Sequence, residues 1–174
     1  MLRSRPKRTA LGLAGALTAV LTAFAGAGAA PAQAATAPAA TAGQVLVAPP
    51  APPLRAQLQI QAQAQTQAAG SPTVSPAAPF DHVPANSDYR CDPGNLCTLV
   101  WDPTTGDYKI FYLYACARYS LSGWFGQGFY ADNQSGGVRS YFYGANGAVL
   151  KSFTPDGGLN HTQDWTPVWA IRNC

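Results

Sequence analysis

The sequence predicts an all-β fold, a small antiparallel sandwich, and three observations point there. Apolar residues alternate with period two over short runs; Gly, Pro, Asn and Asp punctuate those runs every few residues; and all four Cys, all four Trp and all eight Tyr fall between Tyr89 and Cys174. The last of these sets the expected domain at residues 89–174. A domain of that size has an unfavourable surface-to-volume ratio and commonly needs covalent reinforcement.

Within it, "LCTLVW" reads as a strand leading into the turn "DPTTGD". In "YKIFYLYAC", Tyr108, Ile110, Tyr112, Tyr114 and Cys116 take one face, and Lys109, Phe111, Leu113 and Ala115 the other. The second set is nearly as apolar as the first, which predicts cover on both faces. Further strands are expected at "GFYAD", "VRSYFY", "AVLKSF" and "PVWAIRN", with turns at "NQSGG", "GANG" and "TPDGG". About six to eight strands in so short a stretch suit a sandwich. A shift of 41 residues places Trp101 on Phe142, Gly106 on Gly147, Tyr112 on Phe153 and Trp124 on Trp165. Such a repeat predicts two four-stranded Greek keys, with both glycines in hairpins that need positive φ.

The residues before Tyr89 read differently. The basic opening "MLRSRPKR", an apolar run diluted by Ala, Gly and Thr, and small residues at Ala32 and Ala34 predict a secretory signal over 1–34. From 35 to 88 the chain is rich in Ala, Pro and Gln and poor in aromatics, the composition of a disordered tether or a removable pro-segment. Removing the signal takes four of the eleven basic residues, leaving seven against eight Asp, with no Glu anywhere. No basic stripe for nucleic acid and no polybasic membrane patch is apparent.

The stretch "CDPGNLC" carries a turn sequence between Cys91 and Cys97, since Pro93 presets φ and Gly94 tolerates a positive one. That geometry favours a Cys91–Cys97 bridge and leaves Cys116 for Cys174, consistent with an oxidising, extracellular destination. A structural metal lacks ligand pairs at zinc spacing, and a redox dithiol lacks CxxC. No cofactor is expected.

"CDPGNLCTLVW", followed by an aromatic-to-glycine turn, resembles the opening of the actinobacterial secreted peptidase inhibitors with a βγ-crystallin-like fold, the metalloproteinase-inhibitor family. The resemblance implies two Greek keys, secretion and an extracellular protease as partner. Many βγ-crystallin domains bind calcium through a run of two Asp or Asn followed, after two residues, by hydroxyl side chains. In "DNQSGG" only Asp132 and Asn133 match, and Gly136 and Gly137 stand where the next oxygens belong. No inhibitory residue carries over.

Three loops could serve an inhibitor as rigid displays: "CDPGNLC", "ARYSLSGWFGQG" and "TPDGGLNHTQDW". The alternatives are a module binding cell-wall glycan or other polysaccharide and a structural protein of the cell envelope. Sugar binding would use exposed rings among Trp124, Phe125, Tyr130, Trp165 and Trp169. Trp101 and Trp169 read as core, while Trp124 and Trp165 stand open between core and display. Catalysis is not expected: the Asp residues mostly sit in turns, and no nucleophile motif accompanies His161 and Asp164.

Overall fold

A computed structural model describes residues 43–66 and 70–174. The expected signal segment 1–34 and residues 35–42 of the expected tether lie outside the described residues.

Twelve strands and one helix follow in order: β1 (Gln44–Val47), α1 (Leu54–Thr66), β2 (Thr73–Ser75), β3 (Phe80–Val83), β4 (Asp88–Cys91), β5 (Leu96–Asp102), β6 (Asp107–Leu113), β7 (Arg118–Ser122), β8 (Gln127–Asp132), β9 (Ser140–Tyr143), β10 (Val149–Phe153), β11 (Asn160–Asp164) and β12 (Ala170–Arg172). They form two five-stranded antiparallel sheets, ordered β10-β9-β12-β7-β2 and β11-β8-β5-β6-β3, and a two-stranded ribbon, β1-β4.

The 41-residue shift maps β5, β6, β7 and β8 onto β9, β10, β11 and β12. In each half the first, second and fourth strands share one sheet, and the third crosses to the sheet of the other half. The hairpin glycines also correspond, for Gly106 and Gly147 both have φ of 77°. At the first hairpin the Asp102 carboxylate accepts from the Thr104 amide at 2.9 Å and its hydroxyl at 2.7 Å. At the second, Asn146 Oδ1 accepts from the Ala148 amide at 3.0 Å. Both are side-chain-braced turns of the kind that Asp and Asn favour.

Every residue of β5 is buried, which requires cover on both faces of its sheet. Leu96 and Val100 join Phe111, Leu113, Tyr119, Phe142, Trp165 and Ile171 in a core between the two large sheets. Cys97, Leu99 and Trp101, with Tyr108 and Ile110, form a second core on the opposite face. Leu46 and Ala48, Ile60 and Ala64 of α1, Val83, and Tyr89 and Cys91 of β4 close over it.

This second core corrects the reading of 35–88 as a tether. Over its described part the stretch is folded: β1 pairs with β4, β2 extends one large sheet, and β3 extends the other. The segment has too few apolar residues to form a core of its own, but it covers a face that the later strands leave apolar. Burial of such surface is worth about 25 cal/mol per Å², so a few well-placed side chains suffice to dock it.

Trp165 joins the two halves. Its Nε1 donates to the Leu99 carbonyl at 2.8 Å, and its ring meets Trp124 and Phe142 edge-on. A Cβ on Gly128 would come within 2.1 Å of that carbonyl and 2.4 Å of Nε1, so only glycine admits the indole there. Trp124 stacks on Phe111 and donates to the Thr73 carbonyl at 2.9 Å, tying β2 to the core.

Candidate functional site

Both disulfides, Cys91–Cys97 and Cys116–Cys174, lie at one end of the sandwich, with Cα–Cα distances of 5.9 and 5.3 Å. No cysteine is free. The register β5–β6 pairs Leu96 with Leu113, so the chain leaving β6 passes beside the turn inside the first bridge. There Tyr114 packs its ring against Gly94.

Hydrogen bonds fix this end from several sides. The Asn95 amide and Nδ2 both donate to the Asp92 carbonyl, at 3.2 and 3.1 Å. Gly94 donates its amide to the Asn133 carbonyl at 2.7 Å, and Asn133 returns its own to the Asn95 carbonyl at 3.0 Å. Buried Asn173 clasps the second segment: Nδ2 donates to the Leu113 carbonyl at 2.9 Å, and Oδ1 accepts from the Ala117 amide at 3.0 Å. The Tyr119 hydroxyl holds the Ala115 carbonyl at 2.8 Å. Gln134 donates to the Asn173 carbonyl and accepts from Ser140.

Between these clamps Tyr114, Ala115 and Cys116 are exposed, as are Asp92 and Pro93. Tyr114, at 72 %, is the most exposed large apolar side chain among the described residues. Tyrosine is among the residues that most often anchor a protein-binding surface, and a rigid segment presents it at low entropic cost. The period-two pattern places Tyr114 on a face of β6, but the strand ends at Leu113 and leaves Tyr114 exposed. Cys116, two residues on, is the feature of the sequence that marks the departure from the strand.

The three loops proposed from sequence fare differently. "CDPGNLC" contributes only its tip to the surface. "ARYSLSGWFGQG" is mostly β7 and the start of β8, and its turn buries Gly123, Trp124 and Phe125. "TPDGGLNHTQDW" presents Leu159 at 55 % exposure beside Gly157 and Gly158, both with positive φ. Trp101, Trp124, Phe125, Tyr130 and Trp165 are buried. Trp169 departs from its reading as core: the turn before β12 leaves it 52 % exposed, with its amide donating to the Tyr143 carbonyl at 2.8 Å.

The calcium candidates Asp132 and Asn133 are both drawn into hydrogen bonds. Asn133 spends its Nδ2 on the Cys91 carbonyl at 2.8 Å. Asp132 is buried, with Oδ1 accepting from the Gln134 amide at 3.2 Å and Oδ2 without a partner. Burial pushes its carboxyl up to about 6, and nearby Asp156 adds to that. Among the described residues no three His, Cys, Asp or Glu side chains gather as metal ligands. His161 bonds Asp156 and stacks on Tyr130.

Ser71, His82 and Asp102 also meet, although the first two belong to the segment read as tether. Ser71 donates to Asp102 Oδ2, and His82 Nε2 lies 3.2 Å from the same oxygen. Lys109 donates to Ser71 at 2.8 Å and sits 4.0 Å over the Phe80 ring. A nucleophile–base pair needs the hydroxyl bonded to the imidazole. Here both point to one carboxylate, which makes the cluster a latch. Burial alone would raise the Asp102 carboxyl, but hydrogen bonds from Ser71, Thr104 and His82 hold it below the usual range. Burial pulls the Lys109 ammonium down, opposed by the Asp102 charge.

No protein-family model matches this chain, and neither a curated protein nor a solved structure matches it significantly.

Proposed function

We propose that this chain is a secreted, peptidase-inhibitor-like protein that blocks an extracellular protease through the doubly stapled end around Tyr114. The observation that carries the proposal is the combination at Tyr114 of high exposure with a backbone held by two disulfides and the Asn173 clasp. A segment already ordered before it meets an enzyme cleft loses little conformational freedom on binding. An aromatic side chain at its apex supplies contact area with few rotatable bonds.

On this reading the protein acts by occupancy and has no catalytic residue, cofactor or metal of its own. The fold belongs to the reading too: we take the two halves as Greek keys of the βγ-crystallin kind. The exchange of third strands between sheets and the 41-residue correspondence support it. Secretion rests on the leader-like sequence at 1–34, with the two disulfides in keeping with an oxidising compartment. No helix among the described residues is long and apolar enough to cross a membrane.

The test is titration of the chain from Ala35 against a panel of secreted metallo- and serine proteases. Stoichiometric loss of activity of at least one enzyme, relieved by Tyr114→Ala, supports the reading. Unchanged activity across the panel overturns it.

A second reading, polysaccharide binding, draws on a separate surface. Tyr141 and Tyr143 of β9 stack with centroids 6.0 Å apart.

A further inference from the structure

Charge is divided unevenly between the two large sheets. Strands β10, β9, β12, β7 and β2 contain Lys151, Arg172 and Arg118 and no acid. The strands of the other sheet contain Asp81, Asp102, Asp107, Asp132 and Asp164 against a single Lys109. The near-neutral composition after the leader conceals this separation, because it appears only when the strands are assembled.

The register then aligns the arginines. Arg172 lies directly opposite Arg118 on one side and Tyr141 on the other. Directly opposed residues project to the same face, and the alternate row of Tyr119, Ile171 and Phe142 fills the core. Arg118, Arg172 and Tyr141 therefore share the outer face, and Tyr143, two residues from Tyr141, lies there too. Like charges directly opposed across a sheet repel. Neither arginine forms an ion pair with any of the eight Asp, all of which lie among the described residues. Arg118 sits 4.2 Å over the Tyr143 ring, and Arg172 Nε donates to the Cys174 carbonyl at 2.8 Å.

Two guanidinium groups on directly opposed residues, neither neutralised by an Asp and with tyrosines beside them, form a surface complementary to anionic groups carried on flat rings. We infer that this outer face binds an acidic polysaccharide, with carboxylates engaged by Arg118 and Arg172 and sugar rings packed on Tyr141 and Tyr143. Guanidinium matches carboxylate as a planar fork, and an aromatic ring offers an apolar surface to the C–H face of a pyranose. Exposed Ser120 and Ser152 on the same face add hydroxyls for polar contacts. A nucleic-acid surface commonly neutralises about six to ten phosphates, more than two arginines can engage.

The inference deepens the polysaccharide reading and is independent of the inhibitor reading. Its test is affinity electrophoresis of the chain from Ala35 through gels holding polygalacturonate, the same polymer fully methyl-esterified, polyaspartate or single-stranded DNA. Retardation by polygalacturonate above that by the other three is expected. The apparent Kd should rise about ten-fold or more in Arg118→Gln/Arg172→Gln and in Tyr143→Ala, each checked for a native melting temperature and two intact disulfides. Equal binding to polyaspartate or DNA overturns the inference as plain polyanion attraction. Equal binding to the esterified polymer removes the role of the arginines while leaving polysaccharide binding intact. Absence of binding to both forms of the polymer overturns the inference and the polysaccharide reading together.

Discussion

The ring of Tyr114 lies so close over Gly94 that a Cβ at that glycine would stand 2.8 Å from its Cε2. The contact joins the segment inside one disulfide to the segment leading into the other, and it exists only because position 94 has no side chain. Gly94 also has φ of 90°, a conformation that other residues adopt with strain.

Gly94→Ala therefore faces two penalties, backbone strain and displacement of the tyrosine ring. The expected loss is about 1–3 kcal/mol in urea unfolding, together with weaker protease inhibition. Gly136 provides the control, since its φ is 79° but a Cβ there meets open space. Gly136→Ala should cost about 1 kcal/mol or less and leave inhibition unchanged. Equal effects of the two substitutions on inhibition would show that the Tyr114–Gly94 contact does not shape the binding end.

Tyr114→Ala separates binding from folding. An exposed side chain contributes little to stability, so the melting temperature should move by no more than the few degrees that about 0.5 kcal/mol produces. The inhibition constant should rise about ten-fold or more, equivalent to about 1.4 kcal/mol. Tight inhibition by this variant would place the contact surface elsewhere, with the Leu159 loop the next to examine.

At Asp102 the structure predicts a pH-dependent latch between residues 71–82 and the strands they cover. Its folded-state carboxyl is depressed, so the stability it contributes is present above the unfolded value of about 3.9 and is lost as pH falls through the folded value. Replacing it also strands buried Lys109 without its counter-charge. Asp102→Ala should cost about 3 kcal/mol at pH 7, less the nearer the measurement comes to pH 3. The companion readout is protease nicking within residues 70–83, which should accelerate in the variant. A loss independent of pH would assign the role of Asp102 to the Thr104 turn alone.

Much of this arrangement is legible in the sequence. The alternation in "YKIFYLYAC" identifies the two faces of β6, and the matched glycines Gly106 and Gly147 mark equivalent hairpins. The turn residues inside "CDPGNLC" favour the disulfide pairing that forms. The extent of the fold is harder to read, because composition reports what a segment can bury against itself. Ile60, Ala64 and Leu46 bury against another part of the chain, and the clue lay in β5, whose two faces are both apolar. The arginine pair is hidden for a related reason: Arg118 and Arg172 are 54 positions apart, and only strand register makes them neighbours.

Asp132 carries the opposite pH signature from Asp102. Its carboxyl is pushed up to about 6 by burial, with Asp156 adding repulsion and the Gln134 amide only partly offsetting it, while Oδ2 has no partner. A carboxyl raised above its unfolded value binds its proton more tightly in the folded state. Stability consequently falls as pH rises from about 4 to 6, and the full penalty persists above that window. Two pKa units correspond to about 2.7 kcal/mol, an upper bound because the unfolded chain and local relaxation absorb part of it. Asp132→Asn keeps an acceptor for the Gln134 amide and removes the charge. The variant should match the parent in urea unfolding near pH 4 and exceed it by about 1–2 kcal/mol at pH 7.5. A difference that stays constant across that range would mean that Asp132 does not titrate there, and that its unpartnered oxygen is satisfied in solution.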